Sequence, residues 1–172
     1  MGILKFKEQG IRKKFLKQLE IAKQTHVASS KHVNKVGVLA FDELSKVIDI
    51  TRLVEEGIEN ARNVQLLSFR PFEKSASKSY KHFSEKDINR KGEFTDPSIQ
   101  QFLERPFDLL ICFYNQSNLY LEMATLQSQA GFKIGFAGVN DQLFDLVISE
   151  NPLNTESFIA EIIKYLTLLK KI

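Results

Sequence analysis

Hydrophobic positions change their spacing several times along this chain, and each change marks an element. Ile11, Phe15, Leu19 and Ala22 recur at helical spacing, with Leu16 beside them and Arg12, Lys13, Lys14, Lys17 and Lys23 between. This predicts an amphipathic helix of about four turns. It should start near residue 11, since a glycine such as Gly10 inside a helix costs about 1 kcal/mol. Residues 25–35, THVASSKHVNK, are polar and read as a linker. VGVLAF, residues 36–41, is a short apolar run of the kind found in strands buried on both faces. Asp42 follows as a candidate helix cap with Glu43 in the first turn. Leu44, Val47, Ile48 and Val54 mark one helix that Gly57 can end. VQLLSF, residues 64–69, is a second strand, stopped by Arg70-Pro71.

Residues 70–94 are polar, Lys-rich and without a period, so they read as an irregular connection in which Lys91-Gly92 turns a small hairpin. Asp96 caps a short helix with Pro97 at its first position. FDLLICF, residues 107–113, is the next strand, followed by the polar turn YNQSN at 114–118. Leu119, Met123, Leu126 and Ala130 give a helix that stops at Gly131. FKIGFA at 132–137 is a strand in which Gly135 serves packing, GVND at 138–141 a turn, and LVI at 146–148 a last short strand. The closing helix has Asn154 as cap and a Leu153–Phe158 staple, with Ile159, Ile162, Ile163, Leu166 and Leu169 along one face.

Five short apolar strands alternating with helices specify an α/β fold. The expected architecture is a Rossmann-like or flavodoxin-like three-layer sandwich around a mostly parallel sheet. Residues 1–35 form the basic helix and linker, and residues 36–172 the single α/β domain.

The 172 residues include one cysteine, so an intrachain disulfide is excluded. Cys112 lies inside LLICF and reads as a small buried hydrophobe. No run approaches the ~18 apolar residues of a bilayer span. The N-terminus lacks a secretory signal's apolar core, and Phe6 breaks the myristoylation pattern at its last position. A cytoplasmic location is expected. The formal net charge of +3 hides an asymmetry. Residues 1–36 carry nine Lys/Arg and two Glu, a net of +7, and the rest of the chain nets −4. Such an arm can meet a protein partner, anionic lipid or nucleic acid, or pack on its own acidic body. Few aromatics beyond Phe15, Tyr80 and Phe83 accompany the cations, which makes nucleic acid the least favoured partner.

The chain has no G-x-G-x-x-G after its first strand, where the turn reads FDELS, and no P-loop, G-x-S-x-G or H-E-x-x-H. No cofactor is implied. His26, His32 and His82 all lie in polar connections with no ligand set around them, so no metal is implied. The site hypothesis therefore comes from topology. Open α/β sheets bind ligands beyond the carboxyl ends of strands, where strand order reverses. With an order 2-1-3-4-5, that crevice lies between the ends of the first and third strands. Asp42 lines one wall; Asn115, Gln116, Ser117 and Asn118 line the other, at a helix N-terminus that favours anions. Residues 138–141 are a third wall, and Arg70 is placed to meet an anion. Capping alone also accounts for Asp42 and for Ser117 or Asn118.

Two resemblances follow from these segments. The basic N-terminal helix, VGVLAFDE, FDLLICFYN, GFKIGFAG and FIAEIIKYLTLL together resemble an uncharacterised family of small bacterial α/β proteins. That likeness implies a fold and no activity. Residues 107–138 are also similar to the strand-helix-strand in the N-terminal half of heptosyltransferase-type GT-B glycosyltransferases. Those enzymes carry an acidic residue in the apolar run where this chain has Cys112, and they hold nucleotide sugar with a second domain. Two functional expectations result. One is a non-enzymatic module for protein interaction, self-association or surface anchoring, including peripheral membrane contact, through its basic arm. The other is a protein that binds a nucleotide or sugar phosphate, or a remnant glycosyltransferase-like half-domain, using the strand-end crevice.

Overall fold

In the computed structural model, which describes residues 2–74 and 81–172, a six-stranded sheet carries every other element. Its strands are β1 (Val36–Phe41), β2 (Gln65–Phe69), β3 (His82–Phe83), β4 (Leu109–Phe113), β5 (Lys133–Phe136) and β6 (Leu146–Ile148). All pair in parallel in the order β3-β2-β1-β4-β5-β6. The α/β sandwich expected from the sequence is present. The sixth strand, β3, falls in the stretch read as irregular. Two residues are too short to show a period, and part of that stretch, including Tyr80, lies outside the described residues.

Alternation along each strand divides the core in two. Leu39, Leu110, Cys112 and Tyr114 face one layer, while Val38, Ala40, Leu109, Ile111 and Phe113 face the other. The first layer is completed by α1 (Gly2–Thr25), α4 (Pro97–Glu104) and α5 (Leu119–Gln127); the second by α3 (Ile50–Gly57) and α6 (Thr155–Leu168).

α1 runs through Gly10 and begins nine residues before the expected start. A β-carbon on Gly10 would stand 2.4 Å from the carbonyl oxygen of Arg90, so the glycine lets the helix approach that backbone. Ile11, Phe15 and Leu19 enter the core, Lys7 donates to the Glu85 carbonyl at 2.6 Å, and the Tyr120 hydroxyl donates to Glu8. The linker is also tied down. Ser29 N–H donates to Gly131 O, Val33 N–H to Lys171 O, and Lys171 Nζ to the Ser29 carbonyl.

Other local expectations divide in the same way. Lys91-Gly92 turns a hairpin closed by the antiparallel bridge Ile88–Phe94, with Gly92 at φ +75°. Gly135 packs against the ring of Phe144. Asp96 caps α4 through Ser98 N–H, with Pro97 first. The helix expected after β1 is broken into α2 (Asp42–Val47) and α3, because Asp49 accepts from Arg52 N–H and starts a second helix. The Leu153–Phe158 staple does not form. Leu153 is 77% exposed, and Asn154 makes no side-chain cap bond.

Candidate functional site

The ladder itself assembles a charged cluster at the carboxyl ends of three strands. Phe41 of β1 pairs with Phe69 of β2, and Phe69 with Phe83 of β3. The residues just beyond, Asp42 and Arg70, are therefore level. Ser68 and His82 are cross-strand neighbours one step back. Ser68 N–H donates to Lys81 O and Arg70 N–H to Phe83 O, which fixes Arg70 beside His82. Lys46 arrives from α2, one turn after Asp42.

Asp42 does not cap its helix. It is the first residue of α2, and the position before it, Phe41, makes no side-chain cap bond. Only 3% of Asp42 is exposed, and neither carboxylate oxygen has a hydrogen bond among the described residues. Charge holds it instead. Lys46 Nζ lies 2.7 Å from Oδ2, Arg70 Nε 3.9 Å from Oδ2, and His82 Nδ1 3.2 Å from Oδ1. All three of these side chains reach solvent, whereas the carboxylate does not.

Ser68, fully buried, is the hydrogen-bond partner of His82 Nδ1. Its hydroxyl donates to the Lys81 carbonyl at 3.4 Å and stands 2.6 Å from His82 Nδ1. With the hydroxyl proton on the Lys81 carbonyl, Nδ1 carries the ring proton and donates to Ser68 Oγ, an arrangement the nearby Asp42 charge favours. Nε2 is left with its lone pair and has no partner among the described residues. Burial pushes the His82 pKa below its ordinary 6.5; Asp42 opposes the shift, and Arg70, Lys46 and Lys81 reinforce it. The arrangement is not a nucleophilic triad. Ser68 and Asp42 address the same ring nitrogen, and the hydroxyl is sealed from solvent.

The wall expected from the third-strand turn has another use. Asn115, Gln116 and Ser117 are exposed. Asn118 caps α5, accepting from Tyr120 and Leu121 N–H at 3.0 Å each. Ser117 Oγ donates to the buried Glu122 carboxylate at 2.6 Å. The first turn of α5 thus carries its own cap and its own anion. Asp42 pairs with Lys46, Arg70 and His82, and among the described residues no hydrogen bond or ion pair joins it to Asn115, Gln116, Ser117 or Asn118. Gly138 holds φ +90° in the next turn, and Asn140 caps the short helix at Asp141–Leu143.

Sequence reasoning singled out Asp42 and Arg70 but not Lys46, Ser68 or His82. Two signals were available. Lys46 stands four residues after Asp42, and Ser68 interrupts the apolar run of β2. Among the described residues, no group of three or more His, Cys, Asp and Glu could hold a metal, and no helix is long and apolar enough to cross a membrane. A groove of about 420 Å³ between β2 and α4 reaches Lys81, next to His82.

The family model described as "Family of unknown function (DUF6913)" matches residues 7–169. The chain belongs to this family. The DUF6913 match runs from the first third of α1 into the residue after α6, so it spans the basic helix as well as the sheet. No curated protein and no solved structure matches the chain, and none of the comparisons shows the likeness to heptosyltransferase-type enzymes.

Proposed function

We propose that this domain binds a small anionic ligand of the phosphoryl class at the carboxyl ends of β1, β2 and β3. The observation that supports the reading most is the charge balance around Asp42. One buried carboxylate faces two permanent cations, Lys46 and Arg70, with His82 as a third, titratable group. Asp42 offsets one of these charges and leaves the cluster net positive. Arg70 turns its Nε toward Asp42, which leaves the Nη donors for a second oxyanion, and a planar guanidinium suits phosphoryl oxygens. Parallel α/β sheets receive ligands at this end of their strands.

The test is calorimetric titration of the full chain with inorganic phosphate, pyrophosphate and adenosine monophosphate. Saturable binding of at least one is expected, with a loss of tenfold or more in Arg70→Gln while the cooperative thermal transition is kept. Absence of binding to all three, or binding untouched by Arg70→Gln, overturns the assignment.

A further inference from the structure

We propose that the outward face of α1 docks this domain on an anionic lipid bilayer. The opposite face is committed: Ile11, Phe15 and Leu19 are buried in the core, so α1 cannot rotate to present another surface. What it turns outward combines two kinds of side chain. Phe6 is 76% exposed, Leu16 57% and Ile21 52%. Beside them stand the exposed cations Lys5, Arg12, Lys13 and Lys17. At 100° per residue, Phe6, Lys13 and Lys17 fall within roughly 20° of one line along the helix, with Ile21 one turn beyond Lys17.

The acidic residues of the helix do not cancel this charge. Glu20 pairs with Lys23 at 2.9 Å, and Glu8 lies on the side of the helix turned to α5, where it accepts from Tyr120. The four exposed cations have no ion pair among the described residues.

The chemistry distinguishes the occupant. A nucleic acid would satisfy the cations and leave Leu16 and Ile21 in water. A bilayer interface takes both: lysine heads reach the anionic headgroups while phenylalanine and aliphatic chains enter the acyl boundary. The apolar area is small, so attraction to lipid charge must supply much of the affinity, and binding should fall as salt rises.

The full chain should co-sediment with vesicles of phosphatidylcholine mixed with phosphatidylserine, and not with phosphatidylcholine alone. Each cation contributes about a fivefold factor at such a surface. Lys13→Glu/Lys17→Glu should therefore weaken partitioning by more than about 25-fold. Phe6→Ser should weaken it at low and high salt alike. These positions are exposed, so both variants should unfold at the wild-type temperature, which separates lost docking from lost fold. Three results would overturn the proposal. They are no sedimentation with anionic vesicles at low salt, sedimentation untouched by Lys13→Glu/Lys17→Glu, and binding to single- or double-stranded DNA that those vesicles do not displace.

Discussion

Ser68 and His82, neighbours across the β2–β3 ladder, stand 2.6 Å apart from Oγ to Nδ1, and this contact orients the ring at the centre of the candidate site. A histidine held neutral by burial is less basic in the folded chain than in the unfolded one. Its contribution to stability is present above the unfolded pKa of about 6.5 and is lost as pH falls below it toward the depressed folded value. His82→Gln should flatten that part of the stability–pH curve. A bound phosphoryl anion favours the imidazolium, so saturating phosphate should move the His82 titration upward. Nuclear magnetic resonance of the ring protons measures both. A His82 pKa at or above 6.5 without ligand would contradict this account.

Asp42 is, among the described residues, the one anion paired with Lys46, Arg70 and His82, so Asp42→Asn separates stability from binding. The cations keep access to solvent, so the variant should lose about 1–2 kcal/mol, less than the ~3–5 kcal/mol of a fully buried pair. Pyrophosphate should bind it more tightly than it binds the wild type, because a competing negative charge has gone. Denaturant unfolding and titration calorimetry on the same sample give the two numbers. Equal losses in both would mean that Asp42 itself touches the ligand.

Glycine at position 10 reverses an ordinary expectation. In an exposed helix, Gly→Ala gains about 1 kcal/mol. Here the new methyl would stand 2.4 Å from the Arg90 carbonyl oxygen, a backbone atom with little room to yield. Overpacking of this kind costs about 1–3 kcal/mol. Gly10→Ala should therefore lower the melting temperature by a few degrees. A rise would show that the Arg90 loop gives way freely.

Cys112 lies in β4, one residue before its end, with its thiol facing the Thr125 hydroxyl at 3.4 Å. Burial pushes its pKa up to about 12, against smaller opposing effects from Thr125, Lys133 and Tyr114. Only the thiolate attacks disulfide reagents. The native chain should react with Ellman's reagent at the rate of global opening, and a denatured chain within seconds. Rapid reaction under native conditions would mean that β4 opens locally.

What the sequence shows of this fold follows from how far each determinant reaches along the chain. β4 and β5 are legible because continuous apolar runs need no partner to be recognised, and Asn118 is legible as a cap because its bonds go two and three residues on. Gly10 misleads because propensity is local, whereas the contact that explains it involves Arg90, eighty residues away. The candidate site is half legible for the same reason. Asp42 and Arg70 end recognisable strands. Ser68 and His82 acquire meaning only once β2 and β3 pair in one register, and β3 is too short to announce itself.

The basic helix is part of the folded core, and its removal should show this directly. Ile11, Phe15 and Leu19 are almost fully buried. Each contributes about 1.5–3 kcal/mol by burial, so the three together contribute about 5–9 kcal/mol. That is comparable to the whole stability of a typical domain, about 5–15 kcal/mol. Deleting residues 1–25 would also remove Glu8 from Tyr120 and bare the face of α5 on which α1 packs. The truncated chain should lose its cooperative thermal transition and bind a hydrophobic dye, whereas Lys13→Glu/Lys17→Glu should keep the wild-type transition. A cooperative transition near the wild-type temperature in the truncated chain would instead establish residues 26–172 as an independent domain and α1 as an appended element.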